Sequence, residues 1–549
     1  MAHQVCLVAS GDSRLAANRV CWPAQAALEA AVARALARLD CTIVRGHPVD
    51  PVKQHGFLDS QACGIEAFRH IDPATPLVVA EAVWQYTSHV LPGLTKHRGP
   101  ILTLANWSGQ WPGLVGLLNL NGSLTKAGIP YSTTWSETFE DEFARRSLAQ
   151  WLAEGRVDHD VGHARPLDVG AWPDDLRAAA RHGADLGRQL QSQQAILGVF
   201  DEGCMGMYNA IIPDHLLHGL GIFKERLSQA ALYAAMLCVS DATAMRHLAW
   251  LRDRGMTFHL GPDPATDLTE AQVLEGLKMY DAAVRLAFEF GCAAIGIQYQ
   301  QGLKDTCVAS DLAEGLLNNP DRPPVLDQEG HALFDGRAVP HFNEVDECAG
   351  VDALLTNRVW TDAGLDPSTT LHDVRWGVEF SGRGLREFVW LFEISGAVPT
   401  SHLIGGYGGA RGERQPPMYF PRGGATIKGV SRPGEIVWSR IYVERDALHM
   451  DIGRAGAVRL PEEETERRWQ ATTPQWPVMH AVLYGVTRDQ FMAKHKANHI
   501  QVVYAPDARS ARRLLAAKAG MAHSLGIHVN LCGNLDDRLE SHQAEEFRT

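Results

Sequence analysis

Apolar runs and helical stretches alternate along the first three hundred residues. QVCLVAS (4–10) is a short continuous apolar run, the pattern of a strand buried on both faces. The Ala-rich segment 24–39 predicts a helix. CTIVRG, PLVVAEA and PILTLAN (100–106) repeat the strand pattern. LVGLLNLNGSLTKAG (114–128) predicts a helix that stops at Gly128, and IPYSTTW restarts a strand. The stretch 155–173 is rich in Gly, His, Asp and Pro and predicts a boundary. A polar helix over 174–194 leads into AILGVFDEG (195–203), and a second unit of the same kind closes with FGCAAIGIQYQ (290–300). From about 353 the pattern changes. FVWLFEIS, EIVWSRIYVE, ALHMDI and AVRL read as short strands between Gly and Pro turns. A helix over 509–524 and the strand GIHVNLCG follow, and LIGGYGGARGERQPP (403–417) reads as a loop. The reading is an α/β protein: two Rossmann-like α/β domains, 1–170 and 171–352, and a mainly β domain over 353–549.

Length supports several domains, because 549 residues exceed what one core serves. A net charge of −13 without a basic run argues against nucleic acid as a partner. No window approaches the apolar length of a membrane span, and the opening apolar stretch is too short for a signal peptide. The 10 cysteines are scattered with no C-x-x-C pair, which reads as reduced thiols in a cytoplasmic protein.

Three later segments gather ligand-type side chains. CVASDLAEGLLNN (307–319) places Glu314 in a short helical run. HFNEVDECAGVDALLTNRVW (341–360) holds an E-x-D pair, Glu344 and Asp346. If 342–346 is extended, residues two apart share a face and both carboxylates enter one cleft. MAKHKANHI (492–500) puts His495 and His499 four apart.

Taken in order, these segments resemble the L-fucose isomerase family. AAIGIQYQQG followed by SDLAEGLLNN is similar to the turn and helix bearing the family's first metal-binding glutamate, here Glu314. NEVDECAGVDALLTN followed by HDVRWG (372–377) matches its E-x-D and A-D-V-R segments, with Asp346 at the second ligand. Ala497-Asn498-His499 matches its A-N-H motif, and YFPRGG (419–424) its Y-F-R-G-G-G segment with one proline inserted. GCMGMYNAII (203–212), AVWQYTSHVLPGL (82–94) and NWSGQWPGLVGLLNLNG (106–122) agree more loosely, so the similarity spans nearly the whole chain.

The resemblance implies a ketol isomerase with L-fucose isomerase-like architecture, assembled as a hexamer or trimer. It implies Mn²⁺ or Mg²⁺ held by Glu314, Asp346 and His499, with the two carboxylates passing protons to and from an enediol. Oxygen ligands with one imidazole suit these ions better than zinc. Trp84 and Arg14 would reach a neighbour's substrate in trans. Gln298, Gln300, Tyr419 and Asn498 would bind sugar hydroxyls. Lys494 and Lys496, beside the A-N-H motif, would suit a substrate bearing carboxylate, phosphate or sulfonate. L-fucose, D-arabinose and an anionic hexose such as sulfoquinovose all fit. A non-catalytic sugar-binding protein and a metal-dependent aldolase or dehydratase are the competing readings.

Overall fold

A computed structural model describes residues 3–537 apart from Arg383. Strands β1 (His3–Val8), β2 (Cys41–Arg45), β3 (Leu77–Glu81), β4 (Ile101–Asn106) and β5 (Ser132–Ser136) form a parallel sheet in the order β2-β1-β3-β4-β5. The helix predicted over 24–39 instead runs Leu15–Ala37 and carries Pro23 inside. Pro23 reads as a helix start, but Ala17 and Cys21 ahead of it are buried with Leu28 and Val32 behind it. That continuous apolar face outweighs the lost backbone hydrogen bond. Helix Gly113–Ala127 ends where predicted, with Gly128 at φ 68°, the left-handed conformation that closes a helix at low cost.

The short β6 (Ala164–Pro166) leaves this unit and pairs antiparallel with β18 (His528–Cys532). A second parallel sheet has the order β10-β7-β8, from β7 (Ala195–Phe200), β8 (Ile222–Leu227) and β10 (Cys292–Ile297). Between these last two lies β9 (Thr257–Phe258), which pairs with β13 (Arg411–Gly412) and ties the middle of the chain to its last third.

The C-terminal region is mostly β. β11 (Thr370–Gly382), β12 (Leu385–Glu393), β14 (Gly434–Glu444), β15 (Ala447–Ala457), β16 (Val478–Leu483) and β17 (His499–Tyr504) pair antiparallel in the order β14-β17-β11-β12-β16-β15. β15 also pairs with β14, so the six strands close into a barrel. ALHMDI is the start of the eleven-residue strand β15. Closure leaves no free edge within the ring. One face of the strands packs Trp390, Phe392, Trp438, Met479 and Ile500 together. Against the other lie helices Glu347–Asp362 and Ala508–Ser524, and helix Asp174–Gln193 packs on the latter. The segment read as the joint between the first two domains is therefore built against the C-terminal region. Among the described residues no helix is long and apolar enough to cross a membrane.

Candidate active site

In open parallel sheets, ligands bind beyond the carboxyl ends of the strands. Both parallel sheets obey this rule at one cleft. Arg14 follows β1, Trp84 follows β3, Met205 follows β7 and Gln300 follows β10, and all four line it. The facing wall comes from the barrel and its loops: Asp373 and Arg375 of β11, Ser395, Tyr419, Phe420 and Trp476. Glu344, Pro112 and Val115 complete the lining.

Glu344 is placed by a tight reversal. The backbone of Pro340 and Phe342 bonds to Ile295, extending the second sheet beside β10. The chain then turns at Glu344 (φ 59°) and Val345 (φ 57°), two consecutive left-handed residues that are not glycine. Such conformations persist only where the surroundings hold them. The condition under which Glu344 and Asp346 would share a face, an extended 342–346, is therefore not met. Glu344 faces the cleft, with its Oε2 3.8 Å from His499 Nε2 and its Oε1 accepting from Gln300 Nε2 at 3.3 Å. Asp346 lies on the opposite side of the imidazole. Its Oδ2 accepts from His499 Nδ1 at 2.8 Å and from Arg440 Nη1 at 2.6 Å, and its Oδ1 caps helix Glu347–Asp362 through Ala349 N–H at 3.0 Å.

His499 opens β17 and Asp373 sits directly across from it on β11. Opposed residues share a face, and Asp373 Oδ1 is 3.4 Å from His499 Nε2. Two carboxylates therefore approach the Nε2 edge of one imidazole whose Nδ1 is already engaged. Arg375 occupies a register shift between Val374 and Trp376. This bulge re-aims its side chain toward the carbonyls of Gly109 and Gln110, with Glu393 at 3.6 Å.

The electrostatics separate these groups. Burial pushes the Glu344 carboxyl up to about 7; His499 opposes the shift and Asp373 adds to it. Burial likewise raises Asp373, against His499 and Arg375. Burial would raise Asp346 too, but Arg440 and His499 hold it well below the usual carboxylate range. For His499, burial opposes the charged form, and Asp346, Asp373 and Glu344 more than reverse that.

Glu314 does not join Asp346 and His499. Its buried carboxyl accepts hydrogen bonds from Ser310 and Asn343, and His341 Nδ1 lies 3.7 Å away. Burial and the adjoining Asp311 push it well above its ordinary value. Burial holds His341 near 3, which leaves that ring neutral beside it. Glu314 thus braces the residue before Glu344 from behind.

The other expected residues divide. Trp84, Arg14, Gln300 and Tyr419 line the cleft beside Glu344 and Asp373 of the same chain. Arg14 binds Asp12 through one edge of its guanidinium, Nε and Nη2, at 2.8 and 2.6 Å, donates Nη1 to the Tyr419 carbonyl at 3.1 Å, and lies over the Tyr419 ring. Gln298 stands behind, its Oε1 accepting from the Gln300 backbone at 3.1 Å. Asn498 is fully buried, with Nδ2 on Met207 Sδ at 3.2 Å. Lys494 points elsewhere, to Tyr442 and Asp451 at 2.9 and 3.1 Å, and Lys496 bonds Tyr131 at 3.0 Å. The cationic segment therefore does not face the cleft. His495 bonds the His499 carbonyl and stacks on Phe491, so it shares no ligand face with His499. Sequence reading passed over Asp373 and Arg375 as site residues, although both stand in the H-D-V-R segment.

Neither a family model nor a curated protein sequence matches this chain. What the site can hold must be judged from its donors. Among the described residues no three His, Cys, Asp or Glu side chains form a ready ion-binding shell. Neighbouring ligand atoms around one Mg²⁺ lie about 3 Å apart, given metal–oxygen distances of about 2.1 Å. The carboxylate oxygens of Asp373 and Glu344, 3.4 and 3.8 Å from His499 Nε2, need to close by less than an ångström to meet that spacing. The donor chemistry, two carboxylates and one imidazole, fits a hard divalent cation.

Proposed function

We propose that this chain is a divalent-metal-dependent aldose–ketose isomerase, L-fucose isomerase-like in arrangement, with Glu344, Asp373 and His499 as the residues that hold the ion. The approach of two carboxylates that line an aromatic cleft to the free edge of one oriented imidazole carries this reading. When bound, the cation would polarise the carbonyl and hydroxyl oxygens of the sugar and stabilise negative charge on them.

The chain's own groups supply the proton transfers. One carboxylate takes the C2 proton of the aldose, exchanges it with solvent, and delivers a proton to C1. The other carries the hydroxyl proton from O2 to O1, so the enediol collapses to the ketose with no net gain or loss. Glu344, which faces the cleft and accepts from Gln300, is the candidate base for the carbon-bound proton. Trp84, Trp476, Tyr419 and Phe420 give the apolar faces on which a sugar ring or chain packs. Gln300, also in the cleft lining, donates its amide to Glu344.

The substrate on this reading is uncharged. Arg14 is committed to Asp12, Arg375 adjoins Glu393, and Lys494 is committed to Asp451. Among the described residues that line the cleft, both cations, Arg14 and Arg375, have a carboxylate beside them. The test is a panel of neutral and anionic aldoses with Mn²⁺-loaded protein in D₂O, followed by NMR. Ketose formation from a neutral aldose, with deuterium entering the product, is expected. Conversion of anionic aldoses alone, or cleavage and dehydration products, would overturn it.

A further inference from the structure

His499 has two ring nitrogens, and only Nε2 faces Glu344 and Asp373. An imidazole presents a lone pair there only in one tautomer and one ring orientation, and both are set by what the other nitrogen bonds. Here Nδ1 bonds Asp346 Oδ2 at 2.8 Å. Asp346 is itself immobilised. Its Oδ1 accepts from Ala349 N–H at the start of helix Glu347–Asp362, and its Oδ2 also accepts from Arg440 Nη1 at 2.6 Å. Arg440 stands on β14, is 1% exposed, and has its Nε and Nη2 without hydrogen-bond partners among the described residues. Its one bonded contact is spent on this carboxylate. A buried guanidinium kept for a single bond is costly unless the charge it meets must stay ionised and still.

We infer that Asp346 and Arg440 are positioning residues: Arg440 and the helix start fix the Asp346 carboxyl in place, and Asp346 holds the His499 ring with its Nε2 edge turned toward Glu344 and Asp373. The inference rests on the isomerase reading and adds to it a chain of three elements, β14 to the helix start to β17, that sets the imidazole. It also gives Asp346 a role opposite to that of a ligand. A ligand must keep an oxygen for the ion, whereas here one oxygen caps a helix and the other is shared between an arginine and a histidine.

The probe is Mn²⁺ alone, titrated into the full-length chain without sugar and followed by the electron paramagnetic resonance of the free ion. Asp346→Asn, which preserves shape and permits the wrong tautomer, is expected to weaken Mn²⁺ binding about 10- to 100-fold. Arg440→Lys keeps the charge but loses the guanidinium fork, and is expected to weaken it severalfold in the same direction. Circular dichroism and thermal melting establish that each variant is folded. In turnover, kcat is expected to fall more than KM rises, since sugar packing on the aromatic walls is untouched. Unchanged affinity in both variants overturns the inference alone. Tighter binding in Arg440→Lys also overturns it, because it would mean Asp346 is a ligand that Arg440 restrains. Wild-type protein that takes up no Mn²⁺ removes the isomerase reading and this inference together.

Discussion

Val345 is a β-branched residue with φ 57°, directly after Glu344 at φ 59°. No glycine marks this turn, so nothing local in N-E-V-D announces a reversal. Alternation predicts that Glu344 and Asp346 share a face, and the two left-handed residues instead put them on opposite edges of one ring. The E-x-D pair was legible as chemistry, but the division of labour within it was not. That division depends on His499, more than 150 positions away. Trp84 was expected at a site through the family resemblance, though at a neighbour's, and it lines the cleft of its own chain. Its indole Nε1 is buried and finds no hydrogen-bond partner among the described residues. On the isomerase reading this is the donor that would serve a sugar hydroxyl. Trp84→Phe keeps the apolar face and deletes this donor. Steady-state kinetics are expected to show KM raised about 2- to 10-fold with kcat nearly unchanged, the worth of one hydrogen bond.

At the scale of elements, the parallel sheets were the most legible part, because buried strands are apolar throughout and helices between them keep their period. β11 was not read as a strand. Its positions 372–376, His-Asp-Val-Arg-Trp, carry the polar groups that serve the site, and the apolar alternation fails there for that reason. The Asp373–His499 pairing is a cross-strand register between segments far apart in the chain, which local pattern cannot supply. Helices Asp174–Gln193 and Ala508–Ser524 show a second non-local fit. A Cβ on Gly183 would overlap the Ala517 carbonyl, and one on Gly520 would overlap that of Ala180. The two glycines let the backbones touch. Gly183→Ala is expected to cost about 1–3 kcal/mol by overpacking, measured by urea denaturation, with KM unchanged in the folded protein.

Over the whole molecule, burial of neutral imidazoles sets the acid limit. His341, His372, His480 and His495 are each held near 3 by burial. In the unfolded chain a histidine binds its proton near 6.5. Between these values the unfolded state holds more protons, so stability is full above 6.5 and is lost as pH falls through the window. His480 lies on β16, away from the cleft, and finds no hydrogen-bond partner for either ring nitrogen among the described residues. His480→Met removes one such group. Melting curves from pH 7 to 4 are expected to show the variant gaining on wild type as pH falls, by at most about 1.4 kcal/mol per pH unit.

The same whole-molecule view joins the two parallel sheets and the barrel at one cleft, and places Glu344 inside it with Glu314 behind. Parallel initial rates of ketose formation by Mn²⁺-loaded wild type, Glu344→Gln and Glu314→Gln test that placement most directly. Glu344→Gln is expected to lose at least about 100-fold, the lower range for a general base, while Glu314→Gln stays within about tenfold of wild type. Full activity in Glu344→Gln with loss in Glu314→Gln would contradict it.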